Sequence, residues 1–270
     1  MTAPSATGRA RFRARRQRTA IGLRLALYGL GPACLLLLWH HASETFATQR
    51  LFPGPAATYA GFVALLEDGQ LWRDVLASLQ RIGLGFAIGS LAGFAVGLAA
   101  GYVPLIRHLL YPYIHFFRFI SPIAWLSMAL LWLGSGEASK VALIVYTTTF
   151  IVMVNTMEGV FAVPVNRLRA ARCFGAGPRQ IFLWVIVPSA LAYALAGSRL
   201  AMANSFATIV AAEMLAADAG LGFLSWVSRQ WLAVDHIFVA IICLGVIGFL
   251  ADRALVVVND TVFRPYRLSI

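Results

Sequence analysis

The sequence predicts an all-α polytopic membrane protein with about six transmembrane helices. Of its 270 residues, 60% are hydrophobic and 12% are charged, whereas a soluble domain has about 25% charged residues. The mean hydropathy is +0.77, and several apolar runs approach the roughly 20 residues with which a helix crosses a bilayer. These runs are continuous and do not alternate with polar residues, which excludes a transmembrane β-barrel.

Six apolar segments are the predicted spans. They cover residues 21–42, 75–102, 115–133, 141–160, 188–215 and 236–258. Ser121-Pro122 interrupts the third of them, and proline bends a helix because it removes a backbone donor. Such a break is tolerated at membrane depth where the freed backbone groups face protein or a wet cavity. Between the first two spans, residues 56–68 are predicted to form a short helix that ends at Gly69.

The second span carries a stripe of small residues. Its glycines recur at four-residue intervals, at Gly85, Gly89, Gly93, Gly97 and Gly101. Residues at this spacing lie along one side of a helix. In lipid, such a stripe lets a neighbouring helix approach closely, so the glycines predict a tight helix pair and need no further function.

The basic residues predict the topology. The formal net charge is +11, from 22 basic and 11 acidic residues. Six arginines fall within residues 9–18, just before the first apolar run, which indicates attraction to anionic membrane lipid rather than to nucleic acid. With six spans, both termini are predicted to be cytoplasmic. The predicted regions are a basic tail over 1–20, one transmembrane domain over 21–260 and a second cytoplasmic tail over 261–270.

The segment 164–188 is a polar, arginine-bearing insert between two spans. It is predicted to form two short helices that are broken at the Gly175-Ala176-Gly177-Pro178 sequence, since glycine favours a helix end and proline a helix start. Its four arginines are Arg167, Arg169, Arg172 and Arg179. By the positive-inside rule they place the insert in the cytoplasm. There it either contacts a soluble partner or lies on anionic lipid.

Nucleotide hydrolysis and metal chemistry find no support in the sequence. A phosphate-binding loop needs lysine after glycine, but the only lysine, Lys140, follows Ser139. The five histidines show no metal-binding spacing, the three cysteines lie far apart, and no G-x-S-x-G motif occurs. We therefore predict no catalytic residue, no metal site and no enzymatic activity in this chain.

Ionisable residues within spans are candidates for a solute path because they are costly to place there. They are Arg81, Arg118, Glu158, Arg199, Glu213 and Asp252. Three of them, Arg81, Glu158 and Asp252, lie near predicted span ends, from which they are expected to snorkel toward water. The residues predicted to line a path are Arg118, Trp125, Asn155, Arg199, Asn204, Thr208 and Glu213. The alternative is that these polar groups only pair with neighbouring spans.

The insert resembles the Glu-Ala-Ala loop of permease subunits from ATP-binding-cassette (ABC) importers, written E-A-A-x3-G-x9-I-x-L-P. Ala170, Ala171 and Gly175 match at the required spacing, and the V-I-V-P sequence that ends at Pro188 occupies the I-x-L-P position. Arg169 stands where the family typically has glutamate. This departure changes the charge of the expected docking contact.

Flanking motifs are similar to those of the nitrate, sulfonate and taurine importer group. They are L-W-R-D-V-L-A-S-L-Q-R at 71–81, P-I-A-W at 122–125, L-W-L-G-S-G-E-A-S-K at 131–140, V-A-A-E-M at 210–214 and G-L-G-F at 220–223. The resemblance covers residues 51–258. Together these motifs are specific, whereas A-A-x3-G alone is weak.

The resemblance implies a type I ABC importer permease in the bacterial inner membrane, multi-pass, with both termini inside. Its implied partners are a second copy of the permease, a cytoplasmic ABC ATPase dimer that binds the ATP and Mg, and an extracytoplasmic solute-binding protein; this chain itself needs no cofactor. The 164–188 segment becomes a cytoplasmic coupling loop, with contacts from Arg169, Ala170, Ala171, Arg172, Gly175 and Pro188.

The resemblance suggests a small anionic solute such as a sulfonate, taurine or nitrate. Aromatic acids and pyrimidine precursors are the alternative solutes, because related permeases are associated with them. A stand-alone secondary transporter is a further alternative from a different class. It would show inverted repeats with paired broken helices, and the break at Pro122 has no counterpart in the other half of the sequence.

Overall fold

The computed structural model describes residues 30–45 and 51–262, which form helices joined by turns, without a strand. The helices are α1 (residues 30–45), α2 (Pro55–Glu67), α3 (Gln70–Tyr102), α4 (Pro104–Phe117), α5 (Leu126–Leu133), α6 (Glu137–Phe161), α7 (Val165–Cys173), α8 (Pro178–Ile181), α9 (Val187–Ala216), α10 (Leu221–Gln230) and α11 (Val234–Val262). The predicted tail 1–20, nearly all of the tail 261–270 and the first half of the first span lie outside the described residues.

Four of the described helices are long and apolar enough to cross a membrane. They are α3, α6, α11 and the continuous helix Pro178–Ala216 that contains α9. Each includes one predicted span and extends beyond it at one or both ends. The bent pair of α4 with the segment Pro122–Leu133 makes a fifth crossing if it is counted as one span. The all-α polytopic fold is confirmed.

The third predicted span is broken more severely than expected and begins earlier. Its helix starts at Pro104 rather than at residue 115, and α4 meets the Pro122–Leu133 segment at 90°. The early start follows from Val103, whose extended backbone separates α3 from the proline that opens α4. The break follows from Ser121, which is extended as the residue before Pro122 tends to be.

The helix of the fifth predicted span also begins earlier than Pro188. It runs without interruption from Pro178 and contains a wide π turn over Phe182–Ile186. A proline ring inside a regular α-helix clashes with the carbonyl four residues earlier, which for Pro188 belongs to Trp184. The widened turn just before Pro188 accommodates the ring, so the helix continues where the sequence predicts a helix start.

The centre of the molecule is the pair α3 and α6, on which α9 packs. The glycine stripe of α3 faces α6, and a Cβ atom added at Gly97 would lie 2.5 Å from the carbonyl oxygen of Met153. The α6 residues opposite the five glycines are also four apart and all β-branched: Ile144, Thr148, Val152, Thr156 and Val160. The predicted tight helix pair is confirmed.

The contact between α6 and α9 is partly polar and partly apolar. The hydroxyl oxygens of Thr148 and Ser205 lie 3.1 Å apart within it. Ile144 and Ile209, both fully buried, belong to one apolar cluster there. Together with α3, these helices form a three-helix core that runs the length of the molecule.

The molecule has two distinct ends. The segment 164–188 lies at the end where α3 and α6 finish, since Leu168 lines a common cavity with Gly101 and Val160. We call this the loop end. The opposite end, where α6 begins and α9 finishes, is called the far end, and there Arg81 contacts both Glu137 and Glu213.

Candidate functional site

A polar cleft of about 560 Å³ lies beside the break between α4 and α5. Its walls come from the break itself, from the middle of α6 and from the middle of α9. Its polar lining residues are Arg118, Ser121, Tyr146, Thr147, Asn155, Asn204 and Thr208. The cleft therefore brings together four residues predicted to line a solute path, namely Arg118, Asn155, Asn204 and Thr208.

The broken helix exposes backbone carbonyls, and Tyr146 of α6 satisfies them. Its hydroxyl donates to the carbonyl oxygen of Phe117 at 2.6 Å and lies 3.4 Å from that of Ile120. Phe117 is the last residue of α4, where the carbonyls have no intrahelical partners, and Ile120 lies in the break that follows. Tyr146 thus fixes the geometry of the break, and the break in turn presents Arg118 and Ser121 to the cleft.

The hydroxyl and amide groups of the cleft are held by their own helices. Thr208 donates to the carbonyl of Asn204 at 2.8 Å, and its oxygen lies 3.2 Å from that of Thr147. Asn155 and Asn204 each donate one amide N–H to the carbonyl four residues earlier, at 2.8 and 3.0 Å. Each amide keeps a second N–H and its oxygen for a ligand.

Arg118 gives the cleft a positive charge. Its guanidinium lies 5.0 Å from the ring centroid of Phe119, and across residues 30–45 and 51–262 no carboxylate comes within ion-pair distance of it. No Asp or Glu lines the cleft among these residues. An exposed arginine without a counter-ion, beside amide donors, forms charge-assisted hydrogen bonds with a carboxylate, sulfonate or similar oxyanion.

The other three predicted path residues lie outside the cleft lining. Trp125 packs behind it, with its ring centroid 6.0 Å from that of Tyr146. Arg199 binds Asp252 of α11 through two hydrogen bonds of 2.9 and 2.8 Å, and both line a separate cavity of about 210 Å³. Glu213 is fully buried at the far end.

Glu213 belongs to a buried ionic network that the sequence reasoning missed. Arg81 of α3 is only 5% exposed and donates to Glu213 at 2.7 Å and to Glu137 at 2.7 Å. The expectation that Arg81 snorkels from a span end is therefore wrong. Asp252, expected to behave in the same way, instead pairs with Arg199. The available signal was the spacing of Asp74, Ser78 and Arg81, which places all three on one helical face.

The same network holds the first turn of α10. Three backbone N–H groups there donate to side chains: Gly220 to Asp74 at 3.0 Å, Leu221 to Ser78 at 3.0 Å and Gly222 to Glu213 at 2.9 Å. These N–H groups have no intrahelical partner, so side chains from α3 and α9 cap α10. The far end is thereby fixed by contacts among four helices.

The arginine-bearing loop contains the short helix α7 and the predicted break before Pro178, but the second predicted short helix is the start of the continuous helix Pro178–Ala216. Gly175 has φ of +79° and ends α7. The N–H of Ala176 donates to the carbonyl of Ala171 at 3.0 Å, and that of Gly175 to Arg172 at 2.9 Å, which is a Schellman ending. Pro178 then opens α8.

The outer surface of α7 presents a basic and aromatic face. Arg169, Ala170 and Arg172 are exposed. Phe174, which follows α7, is 92% exposed. An exposed aromatic ring beside arginines is a common composition for the centre of a protein–protein contact.

The family model for the inner membrane component of binding-protein-dependent transport systems matches residues 85–264, more than half of the chain. The chain belongs to this family. The permease is 37% identical over 230 residues to the taurine transport system permease protein of Escherichia coli strain K12, with 83% of each chain covered. It is 30% identical over 191 residues to the bicarbonate transport system permease protein of a Synechocystis species, covering 70% of this chain and 68% of that one.

The fold of the permease matches a solved ABC importer. It superimposes on a chain of the MetNI methionine ABC transporter in an inward-facing conformation with a TM-score of 0.58, covering 74% of this chain and 97% of that one. The sequence identity is 17%, so the likeness concerns the fold alone. The resemblance to permeases of the nitrate, sulfonate and taurine group is confirmed by the sequence relatives, and the type I importer fold by the structure.

Proposed function

We propose that this permease forms the translocation path of an ATP-driven importer for a small anionic solute, such as a sulfonate, taurine or nitrate. The observation that carries the proposal is the polar cleft, which contains Arg118 and no carboxylate among the described residues. Because the cleft lies between membrane-spanning helices, a charged group there is costly unless it serves a solute or ion pathway.

The donors in the cleft suit an oxyanion. Arg118 and the second N–H groups of Asn155 and Asn204 offer hydrogen bonds to negatively charged oxygens. The named solutes of the two relatives, taurine and bicarbonate, both carry such oxygens. The volume of about 560 Å³ is within the range of small-molecule sites.

Aromatic acids are the second candidate solutes, and one feature of the cleft favours them. Tyr146 and Phe150 both line it, with ring centroids 5.0 Å apart. Aromatic side chains pair with a flat ligand ring by stacking. An aromatic carboxylate or a pyrimidine precursor would then place its charged group at Arg118.

Alternating access is proposed to arise from a larger assembly. The cleft opens to one side of a single chain, and a second copy of the permease would close it. A cytoplasmic ABC ATPase dimer would bind ATP and Mg, and an extracytoplasmic binding protein would deliver the solute. In this assembly the permease lies in the bacterial inner membrane with both termini in the cytoplasm, as the arginine distribution suggests.

The contact with the ATPase is proposed to be the loop 164–188. Arg169, Ala170 and Ala171 would bind the ATPase along α7, and Arg172, which lines the cavity behind α7, would border that contact. Gly175 and Pro188 would lie at the two ends of the segment that moves with the ATPase. Since Arg169 replaces the usual glutamate, an acidic side chain on the ATPase is the complementary partner.

The experiment is solute uptake by the purified complex of permease, ATPase and binding protein in proteoliposomes. Radiolabelled taurine, nitrate and benzoate are compared with and without ATP on the ATPase side. We expect ATP-dependent uptake of one of these solutes, each of which carries a negatively charged oxyanion group. Uptake that persists when the ATPase is absent would contradict the importer, and uptake of benzoate alone would favour the aromatic solutes.

Coupling is tested at Gly175. A β-branched residue at a φ of +79° is strained, so Gly175→Val should deform the end of α7 and lower the solute transported per ATP hydrolysed. Gly177→Val is the matched control, because Gly177 has an extended backbone and open space for a side chain. Equal uptake and equal ATP hydrolysis for the two variants would exclude a coupling role for this helix end.

A further inference from the structure

A second cavity, of about 490 Å³, lies at the loop end between the spanning helices and the arginine-bearing loop. Its lining includes two arginines, Arg107 of α4 and Arg172 of α7. No acidic residue of the described chain lines it, and much of the rest of its wall is apolar, including Val160, Leu168 and Ile186. We call it the arginine cavity.

Arg107 is held in place by the end of α3. Its Nη2 donates to the carbonyl of Gly101 at 2.7 Å, and its Nε to that of Ala100 at 3.5 Å. These are carbonyls of the last helical turn, the negative end of the helix dipole. The guanidinium also lies 4.5 Å from the ring centroid of Phe161. Its position is therefore fixed, and Nη1 remains as a donor.

Arg172 is the second positive charge of the cavity. It is exposed on α7, and within the described part of the chain its guanidinium makes no ion pair and no hydrogen bond. Two arginines that line one cavity without a carboxylate give it a positive electrostatic potential. The cavity is thus electrostatically complementary to a negatively charged group.

The depth of the cavity suggests which anion it binds. Gly101 and Phe161 lie in the last turns of two spanning helices, so the cavity is at the boundary between hydrocarbon and water. A phospholipid has its phosphate at this depth and its acyl chains beside it. The arginines match the phosphate, and the apolar wall matches the glycerol and the first acyl carbons.

We propose that the arginine cavity binds the head group of an anionic phospholipid, with the phosphate between Arg107 and Arg172. Basic pockets between spanning helices bind such head groups by charge. An acidic side chain of the ATPase is the competing occupant. Lipid is favoured because Arg107 belongs to α4 and caps the end of a spanning helix, and because the wall is largely apolar. The proposal depends on membrane embedding alone and holds whichever solute the permease carries.

The test is native mass spectrometry of the purified transporter complex after titration with phosphatidylglycerol or phosphatidylcholine. We expect phosphatidylglycerol to bind at least about tenfold more tightly than phosphatidylcholine, and R172Q to remove most of that preference, since a charge-assisted hydrogen bond is lost. R179Q is the matched control, because Arg179 is an exposed arginine of the same loop that does not line the cavity. Its lipid preference should equal that of the parent.

Two further measurements distinguish a phospholipid from free phosphate and from an acidic side chain of the ATPase. Millimolar inorganic phosphate should fail to displace phosphatidylglycerol, since the apolar wall contributes to binding; displacement would show a general phosphate site and overturn the lipid assignment. Phosphatidylglycerol should bind equally to the full-length permease with and without its ATPase. Binding only without the ATPase would assign the cavity to an ATPase side chain. Equal lipid binding by R172Q and R179Q would also overturn the proposal.

Discussion

Arg81 and Arg118 are both arginines within or beside membrane-spanning helices, but their surroundings are opposite. Arg81 is 5% exposed and bonded to two carboxylates and to the carbonyl of Ala219. Arg118 is exposed at the polar cleft and has no carboxylate partner among the described residues. Arg81 uses four of its five N–H donors within the protein, whereas Arg118 has its donors available.

A charged side chain in a membrane helix can either stabilise the fold or be available to a ligand. In the far-end network Arg81 is paired with two carboxylates, so the cost of burying its charge is offset by fixed hydrogen bonds. In the polar cleft no carboxylate of the described residues faces Arg118, so its guanidinium is available to a ligand. A charged residue within a span can therefore be assigned to a solute path only when its partners within the protein are known.

The largest effect is expected from Arg81→Met. The variant leaves Glu213, which is fully buried, without its cation, and breaking a buried ion pair on one side costs about 3–5 kcal/mol. Thermal unfolding of the purified permease should shift downward strongly, or folded protein should not be recovered. Arg73→Met, an exposed position on the same helix, is the control. Equal stability of the two variants would show that the network contributes nothing to the fold.

A smaller loss of stability is expected from Glu213→Gln. The amide keeps the shape of the side chain but removes the charge that faces Arg81 and Gly222, and hydrogen bonds to charged groups contribute about 1.5–3 kcal/mol. Glu137→Gln should cost less, because the Glu137 side chain is 64% exposed and exposed pairs are screened. Denaturant unfolding of both variants measures the two losses of stability. A larger loss for Glu137→Gln would show that Glu137, and not Glu213, is the more important partner of Arg81.

Arg118→Gln should impair transport without impairing the fold. Removing a charged donor to an oxyanion should raise KM for uptake by about tenfold or more, while the unfolding temperature stays near that of the parent. Arg118→Lys keeps the charge and should recover part of the uptake. A fall in unfolding temperature comparable to that of Arg81→Met would mean that Arg118 is structural as well.

The smallest effect on transport is expected from Arg199→Gln. Its guanidinium is bonded to Asp252 and lines a different cavity from the polar cleft, so KM for uptake should stay within about twofold of the parent value, as expected for separate sites. The double variant Arg199→Gln with Asp252→Asn removes both charges and controls for an unpaired Asp252. An increase in KM as large as that of Arg118→Gln would show that Arg199 does line the solute path.

Local rules predict much of the architecture. Apolar runs locate the spans, the glycine spacing locates the α3–α6 contact, and Gly175 with Pro178 locates the break in the loop. Each depends on residues close together in the chain, so one sequence suffices. The early start of α4 was missed because Val103 and Pro104 separate two helices without a polar interruption. The continuation of the helix through Pro188 was missed because a π turn leaves no composition signal.

The grouping of polar residues could be predicted only in part. Asn204 and Thr208 share a helical face, and their common location at the cleft follows from that spacing. Arg199 and Glu213 lie on the same helix, but their partners come from α11 and α3. Which neighbour a side chain faces depends on the packing of helices distant in sequence, and neither hydropathy nor spacing determines it. Placement of these two residues therefore required the three-dimensional structure.

The meshing of α3 with α6 also limits how the permease can change shape. The five glycines and the five β-branched residues opposite them repeat every four residues, a spacing of about 6 Å along a helix. A slide of α6 by less than one repeat would move its β-branched side chains away from the glycines and against the larger residues of α3. The close contact therefore opposes sliding of the two helices along their axes, and the pair is expected to move as one rigid unit. Relative movement during transport must then occur between this pair and the helices around it.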